Sequence, residues 1–136
     1  GAGLPGLVLA ACRPGLDFTL VEPMERRVTW LRECVAELEL ANVEVFRGQA
    51  QELHGSVTFD AVTARAVASL DKLLRWTWPL VAEPGVLLAM KGARAQQELE
   101  AAAGVIRKLR AEPLGVHEVD VLGDGDVTRI VEIARR

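Results

Sequence analysis

Apolar residues along this chain gather in short runs that alternate between two periods. Residues 7–12 are apolar behind Pro5 and stop at Arg13-Pro14-Gly15, which predicts a short helix. FTLVE, residues 18–22, is a β-branched run ending in an acid, the pattern of a buried strand. From 24 to 40, Val28, Leu31, Val35 and Leu38 recur at helical spacing with charge on the other side. VEVF (43–46) and FDAVTA (59–64) predict the next two strands, with a polar loop over 48–56 between them. Residues 70–81 predict a helix, Pro84-Gly85 a turn, and VLLAM (86–90) a fourth strand with Lys91-Gly92 at its carboxyl end. Residues 95–110 have a helix-forming composition despite Gly104. Residues 116–122 and 127–134 then read as a hairpin around Gly123-Asp124-Gly125-Asp126.

Strands alternating with helices predict an α/β fold of Rossmann-like type: a mostly parallel, doubly wound sheet ending in an antiparallel hairpin. Ligands of such sheets bind outside the carboxyl ends of the strands. No repeat or linker interrupts the pattern, so residues 1–136 are expected to form one domain. A glycine loop of the kind that opens this chain follows a strand, and none precedes Gly1. The expectation is that the natural protein extends further toward its amino terminus and that the first, central strand is missing here.

Composition narrows the picture only a little. The chain has 136 residues, half of them hydrophobic, which is enough for a real core, and no run long enough to span a membrane. A net charge of −3 gives no global positive field for nucleic acid, though a local basic patch remains compatible with it. Cys12 and Cys34 are far apart and lack zinc-ligand spacing, so they are expected to be small buried thiols in a reducing cytoplasm, and no metal site is expected. Trp30, Trp76 and Trp78 are expected in the core, His117 solvated on an edge strand, and His54 in a loop.

The chemistry concentrates at the strand ends. GAGLPG satisfies G-x-G-x-x-G and runs into a helix, so its backbone N–H groups favour a phosphate or a carboxylate. Glu22 ends the following strand, where its carboxylate can accept both hydroxyls of a ribose. The loop Gly48-Gln49-Ala50-Gln51 falls where an adenine is bordered in such folds. Arg65 and Lys91 end two further strands, and two cations so placed suggest an anionic partner such as a nucleic-acid phosphate or a cofactor carboxylate. By spacing alone a nicotinamide dinucleotide fits the glycine loop as well. A non-catalytic RNA-binding module that keeps the fold is a second alternative.

Taken in order, GAGLPG, LVEPMERRVTWLRE, NVEVFRGQAQEL, FDAVTARAVASLDKLL and VLLAMKG resemble the small-subunit (16S) ribosomal RNA guanine-N7 methyltransferase G family, also called the glucose-inhibited division protein B family. The resemblance implies a cytoplasmic, S-adenosylmethionine-dependent enzyme that methylates N7 of a guanine in small-subunit rRNA, with a monomer expected. It implies that Gly1, Gly3 and Leu4 hold the methionine part of the cofactor, Glu22 the ribose, and Ala50 and Gln51 the adenine. Arg65 would complete the cofactor site or place the substrate, and Lys91 would grip a phosphate or the methionine carboxylate. Members of that family usually carry Arg-Ala-Glu where this chain has Gln49-Ala50-Gln51; an amide at 51 still accepts from the adenine amino group, without the charge.

Overall fold

A computed structural model describes residues 2–65 and 68–136 of the chain. It divides into two units, Gly1–Glu52 and Leu53–Arg136, each with its own sheet.

In the first unit, α1 (Gly6–Cys12) precedes β1 (Phe18–Glu22), and α2 (Glu25–Glu37) crosses over to β2 (Val43–Arg47). The two strands pair in parallel, from Phe18 opposite Val43 to Glu22 opposite Arg47. Both helices bury a narrow stripe at helical spacing, Leu7 and Ala10 in α1 and Val28 and Leu31 in α2. The stripe in α2 is narrower than the periodicity predicts, because Val35 is only half-buried and Leu38 lies beyond the helix and is exposed. Asn42, just ahead of β2, donates its amide hydrogens to the carbonyls of Ala10, Arg13 and Leu16 at 3.2, 3.2 and 2.8 Å. Its backbone carbonyl accepts from the Phe18 N–H at 2.8 Å, so one residue, by side chain and backbone together, ties the end of α1 to the amino ends of both strands.

The second unit carries a four-stranded sheet in the order β3 (Phe59–Arg65), β4 (Val81–Lys91), β6 (Thr128–Arg135), β5 (Glu112–Val119). β3 and β4 are parallel; β6 is antiparallel to both its neighbours, as the predicted hairpin requires. α3 (Leu70–Thr77), α4 (Ala95–Ala101) and α5 (Ala103–Lys108) supply Leu70, Leu73, Leu74, Ala95 and Ile106 to a core completed by Leu87, Ala89, Val131 and Ile133. Trp78 is buried beside them, and the Arg135 guanidinium lies 4.7 Å from its ring centre while donating to its carbonyl at 2.9 Å.

Several boundaries differ from the sequence pattern. The helix predicted over 70–81 ends at Thr77, a 3₁₀ turn covers Trp78–Leu80 with Pro79 inside it, and the strand already begins at Val81. Pro84-Gly85 does not stand outside the strand: Phe59 faces Val81 and Ala61 faces Val86, so 82–85 form an excursion within β4. The helix over 95–110 is interrupted at Ala102, which is itself buried against the core. β5 starts at Glu112 and leaves Val121 and Leu122 exposed in the hairpin loop, where the Asp120 carboxylate accepts the N–H groups of Gly123 and Gly125. Trp30 is half-exposed on α2, because the buried stripe of that helix is only Val28 and Leu31. Cys12 is exposed and Cys34 half-buried, so the thiols are not the core fillers their type suggests.

Candidate cofactor site and the cations at the strand ends

The glycine turn is shaped first by packing. Gly3 holds φ at +85°, and a side chain there would meet Leu7 Cδ1 at 2.5 Å and Leu31 Cδ2 at 2.8 Å. A Cβ on Gly6 would collide with the Leu20 side chain of β1, the close helix–strand approach expected of the third glycine in such a loop. Leu4 is exposed, and Gly1 lies outside the described residues. The start of α1 thus lies against Leu20 while its end is tied through Asn42 to the strand beginnings. α1 therefore runs antiparallel to β1, which carries the glycine turn toward the carboxyl ends of β1 and β2.

Glu22 closes β1 at 2 % exposure. Burial pushes its carboxyl up, while the terminal ammonium of this chain, then the Met24 N–H at 3.1 Å and the nearby Arg27 charge, pull it below the ordinary Glu value. The Glu22 carbonyl receives the N–H of Gly48 at 3.0 Å, which fastens the loop after β2 beside it. Gly48 is buried with no space for a Cβ, because Phe46 and the Glu52 carboxylate would stand 2.5 and 2.6 Å away. Glu52 also accepts the Gln49 N–H, which fixes the turn that presents half-buried Ala50 and exposed Gln51. Glu52 was missed from sequence; an acid three residues after a loop N–H that it can cap is the available signal.

In the second unit the strand-end cations do not converge. Leu87, Ala89 and Lys91 are the buried residues of alternate positions in β4, so Lys91 lies on the core face at 8 % exposure. Arg65 pairs with Met90 and shares the exposed alternation of Ala61 and Thr63, which is the opposite face. The two strand-end cations, read together from sequence as a sign of an anionic partner, therefore lie on opposite faces of the sheet. Arg65 is exposed and, among the described residues, has no ion-pair partner. The Lys91 ammonium instead meets Glu98 Oε2 of α4 at 2.8 Å and donates to the Ala68 carbonyl. Glu98 was not singled out from sequence, although it sits between Ala95 and Ala102 at helical spacing and so falls on the apolar stripe.

The histidines take structural partners: His54 Nε2 donates to the Trp76 carbonyl at 2.7 Å, and His117 Nε2 to Glu132 at 2.6 Å. Among the described residues no group of three or more side chains is arranged to hold a metal ion, and no helix is long and apolar enough to cross a membrane.

Residues 1–122 match the family model for rRNA small subunit methyltransferase G. The chain belongs to that family. It is 60% identical over 136 residues to a ribosomal RNA small subunit methyltransferase G of Beutenbergia cavernae, covering 100% of this chain and 64% of that protein. A protein of the same name from Clavibacter sepedonicus is 51% identical over 135 residues, covering 99% of this chain and 63% of its own length. The chain thus spans a little under two thirds of these relatives. Among solved structures, a putative methyltransferase from Thermoplasma acidophilum superposes with a TM-score of 0.71 at 14% identity, covering 100% of this chain and 65% of that one. A mutant of MtNAS, solved in complex with S-adenosylmethionine, superposes with a TM-score of 0.68 at 20% identity, covering 97% and 50%. The family therefore has the Rossmann-like methyltransferase fold, and the nicotinamide-dinucleotide reading finds no support among these relatives.

Proposed function

We propose that residues 1–136 are the catalytic domain of an S-adenosylmethionine-dependent enzyme that methylates N7 of a guanine in small-subunit ribosomal RNA, acting as a monomer in the cytoplasm. The observation that carries this reading is the buried carboxyl of Glu22 at the end of β1, flanked by the glycine turn and by the loop fastened to its carbonyl. In a chain of the methyltransferase G family, that arrangement fits a nucleoside with an amino-acid tail. Glu22 would accept the ribose hydroxyls, the backbone at Gly1, Gly3 and Leu4 would hold the methionine end, and Ala50 and Gln51 would border the adenine. The steric walls around Gly3, Gly6 and Gly48 support this assignment, since each keeps backbone in a place where a side chain would intrude.

When bound, S-adenosylmethionine supplies a methyl group already activated by the neighbouring sulfonium. Guanine N7 carries a lone pair and no proton, so no residue of the chain needs to act as a general base. The residues do their work by holding donor and acceptor in line at roughly 3 to 3.5 Å. Arg65, exposed and without an ion-pair partner among the described residues, grips a phosphate of the RNA. Contact with the purine itself is disfavoured, because the ring gains positive charge as the methyl arrives.

The test is methyl transfer from labelled S-adenosylmethionine to small ribosomal subunits by the full-length protein, with the labelled base mapped by borohydride reduction and aniline scission, which cut RNA at N7-methylguanine. Label at such a guanine is the expected result. Binding of S-adenosylhomocysteine without any transfer would favour the non-catalytic RNA-binding module, and binding of NAD alone would overturn the cofactor assignment.

A further inference from the structure

Lys91 and Glu98 form a charged pair whose geometry reaches the backbone that follows Arg65. Their side chains are 4 % and 30 % exposed, with Nζ and Oε2 2.8 Å apart. Each partner has a second bond. Lys91 donates to the carbonyl of Ala68, and the same Glu98 oxygen accepts the N–H of Leu70, the first residue of α3, at 3.0 Å. That N–H is one of the donors a helix leaves without an internal acceptor, and a carboxylate there also suits the positive end of the helix.

The pair therefore seizes the chain three and five positions after Arg65. On the other side, Arg65 is held by the β3–β4 ladder, where it lies opposite Met90, the residue before Lys91. One strand end thus pairs with Arg65 through Met90 and holds Ala68 through Lys91. Burying the Lys91 charge is costly in stability even when it is paired, so the pair is poorly explained as a source of stability alone.

We infer that Glu98, acting with Lys91, is a positioning residue for Arg65: the pair holds Ala68 and Leu70, close behind the arginine in sequence, to the same strand end that Arg65 pairs with. This rests on the reading of Arg65 as an anion grip in methyl transfer. Lys91 then serves from behind the sheet, and its charge is spent on Glu98 rather than offered to the RNA or cofactor.

A double-mutant cycle in the full-length protein tests this, with Arg65→Ala, Glu98→Ala and the combination assayed for kcat/KM of methyl transfer to small ribosomal subunits. The amide hydrogen exchange of Leu70 is followed in parallel. Expected is a loss of about tenfold in Glu98→Ala and a larger one in Arg65→Ala, with the double variant within about threefold of Arg65→Ala alone, because both remove the same interaction. Glu98→Gln keeps an acceptor for the Leu70 N–H and recovers part of the activity. Fully additive losses, or an Arg65→Ala variant as active as the wild type, would overturn the inference while leaving methyl transfer by the wild type intact. If the wild type transfers no methyl group, the functional reading fails instead. The positioning claim is then read from exchange: it stands if Leu70 exchanges more than about tenfold faster in Glu98→Ala with Leu87 and Ala89 unchanged, and falls if Leu70 stays equally protected.

Discussion

The carbonyl of Gly3 receives the N–H of Leu7 at 2.6 Å, and the side chain of the same Leu7 occupies the space where a Cβ on Gly3 would stand. Turn and helix are thereby locked into each other, with φ at +85° on the glycine. Gly3→Ala is expected to destabilise the protein by about 1–3 kcal/mol, through backbone strain and overpacking together. It should also weaken S-adenosylhomocysteine binding. Thermal unfolding and calorimetry read the two effects, and a variant melting like the wild type would show that the turn relaxes freely.

Asn42 makes a prediction about charge. Its amide is ringed by three carbonyl oxygens and can only donate to them. Asn42→Ala should cost about 1–3 kcal/mol, the range for leaving such groups without a partner. Asn42→Asp at neutral pH should cost more than Ala, because it sets a carboxylate against those oxygens. Urea unfolding midpoints at pH 7 rank the three proteins, and an Asp variant more stable than the Ala variant would refute the arrangement.

Gly104 offers the contrast to Gly3. It lies inside α5, exposed, with nothing within 4 Å of an added Cβ. Gly104→Ala should stabilise by about 0.5–1 kcal/mol, since alanine loses less backbone freedom on entering a helix. A raised melting temperature with unchanged activity is the expected reading.

Asp71 makes a prediction about pH. The Ser69 hydroxyl donates to its carboxylate at 2.5 Å and, with the Lys72 backbone and Arg75, holds the carboxyl below the ordinary Asp value against the opposing effect of desolvation. A carboxyl lowered in the folded state favours folding above its unfolded value and loses that contribution as pH falls through its folded value, so the window lies below about pH 4. Ser69→Ala should raise the Asp71 titration midpoint toward the ordinary range. An NMR titration of the carboxyl carbon that shows no change would contradict the bond.

The order of elements, and the glycine turn ahead of α1 with Glu22 closing β1, were legible in the sequence for a physical reason. β-branched runs bounded by turn residues locate the strands, and a glycine turn followed by an acid at a strand end needs only local spacing to be seen. The faces of the cations were not legible. VLLAMK is apolar at nearly every position, so its period gives no sign of which side Lys91 takes; only the pairing of Arg65 with Met90 decides it. The boundary at 78–81 was ambiguous because Trp-Pro-Leu-Val suits a helix end and a strand start equally. Glu98 was hidden by its setting, an Ala- and Glu-rich helix that reads as solvated throughout, although its spacing from Ala95 and Ala102 marks the buried side.

The alternation in β3 and β4 also guards the assembly of the sheet. Sliding β3 by one residue would drive Arg65 toward Leu73 and Leu74 and turn Val62 and Ala64 outward. The apolar content of the two strands alone would tolerate such a slip poorly, but a guanidinium forced into that core, with Glu98 already committed to Lys91, would forbid it. The arginine proposed to meet the substrate thus also proofreads how its own strand is laid down.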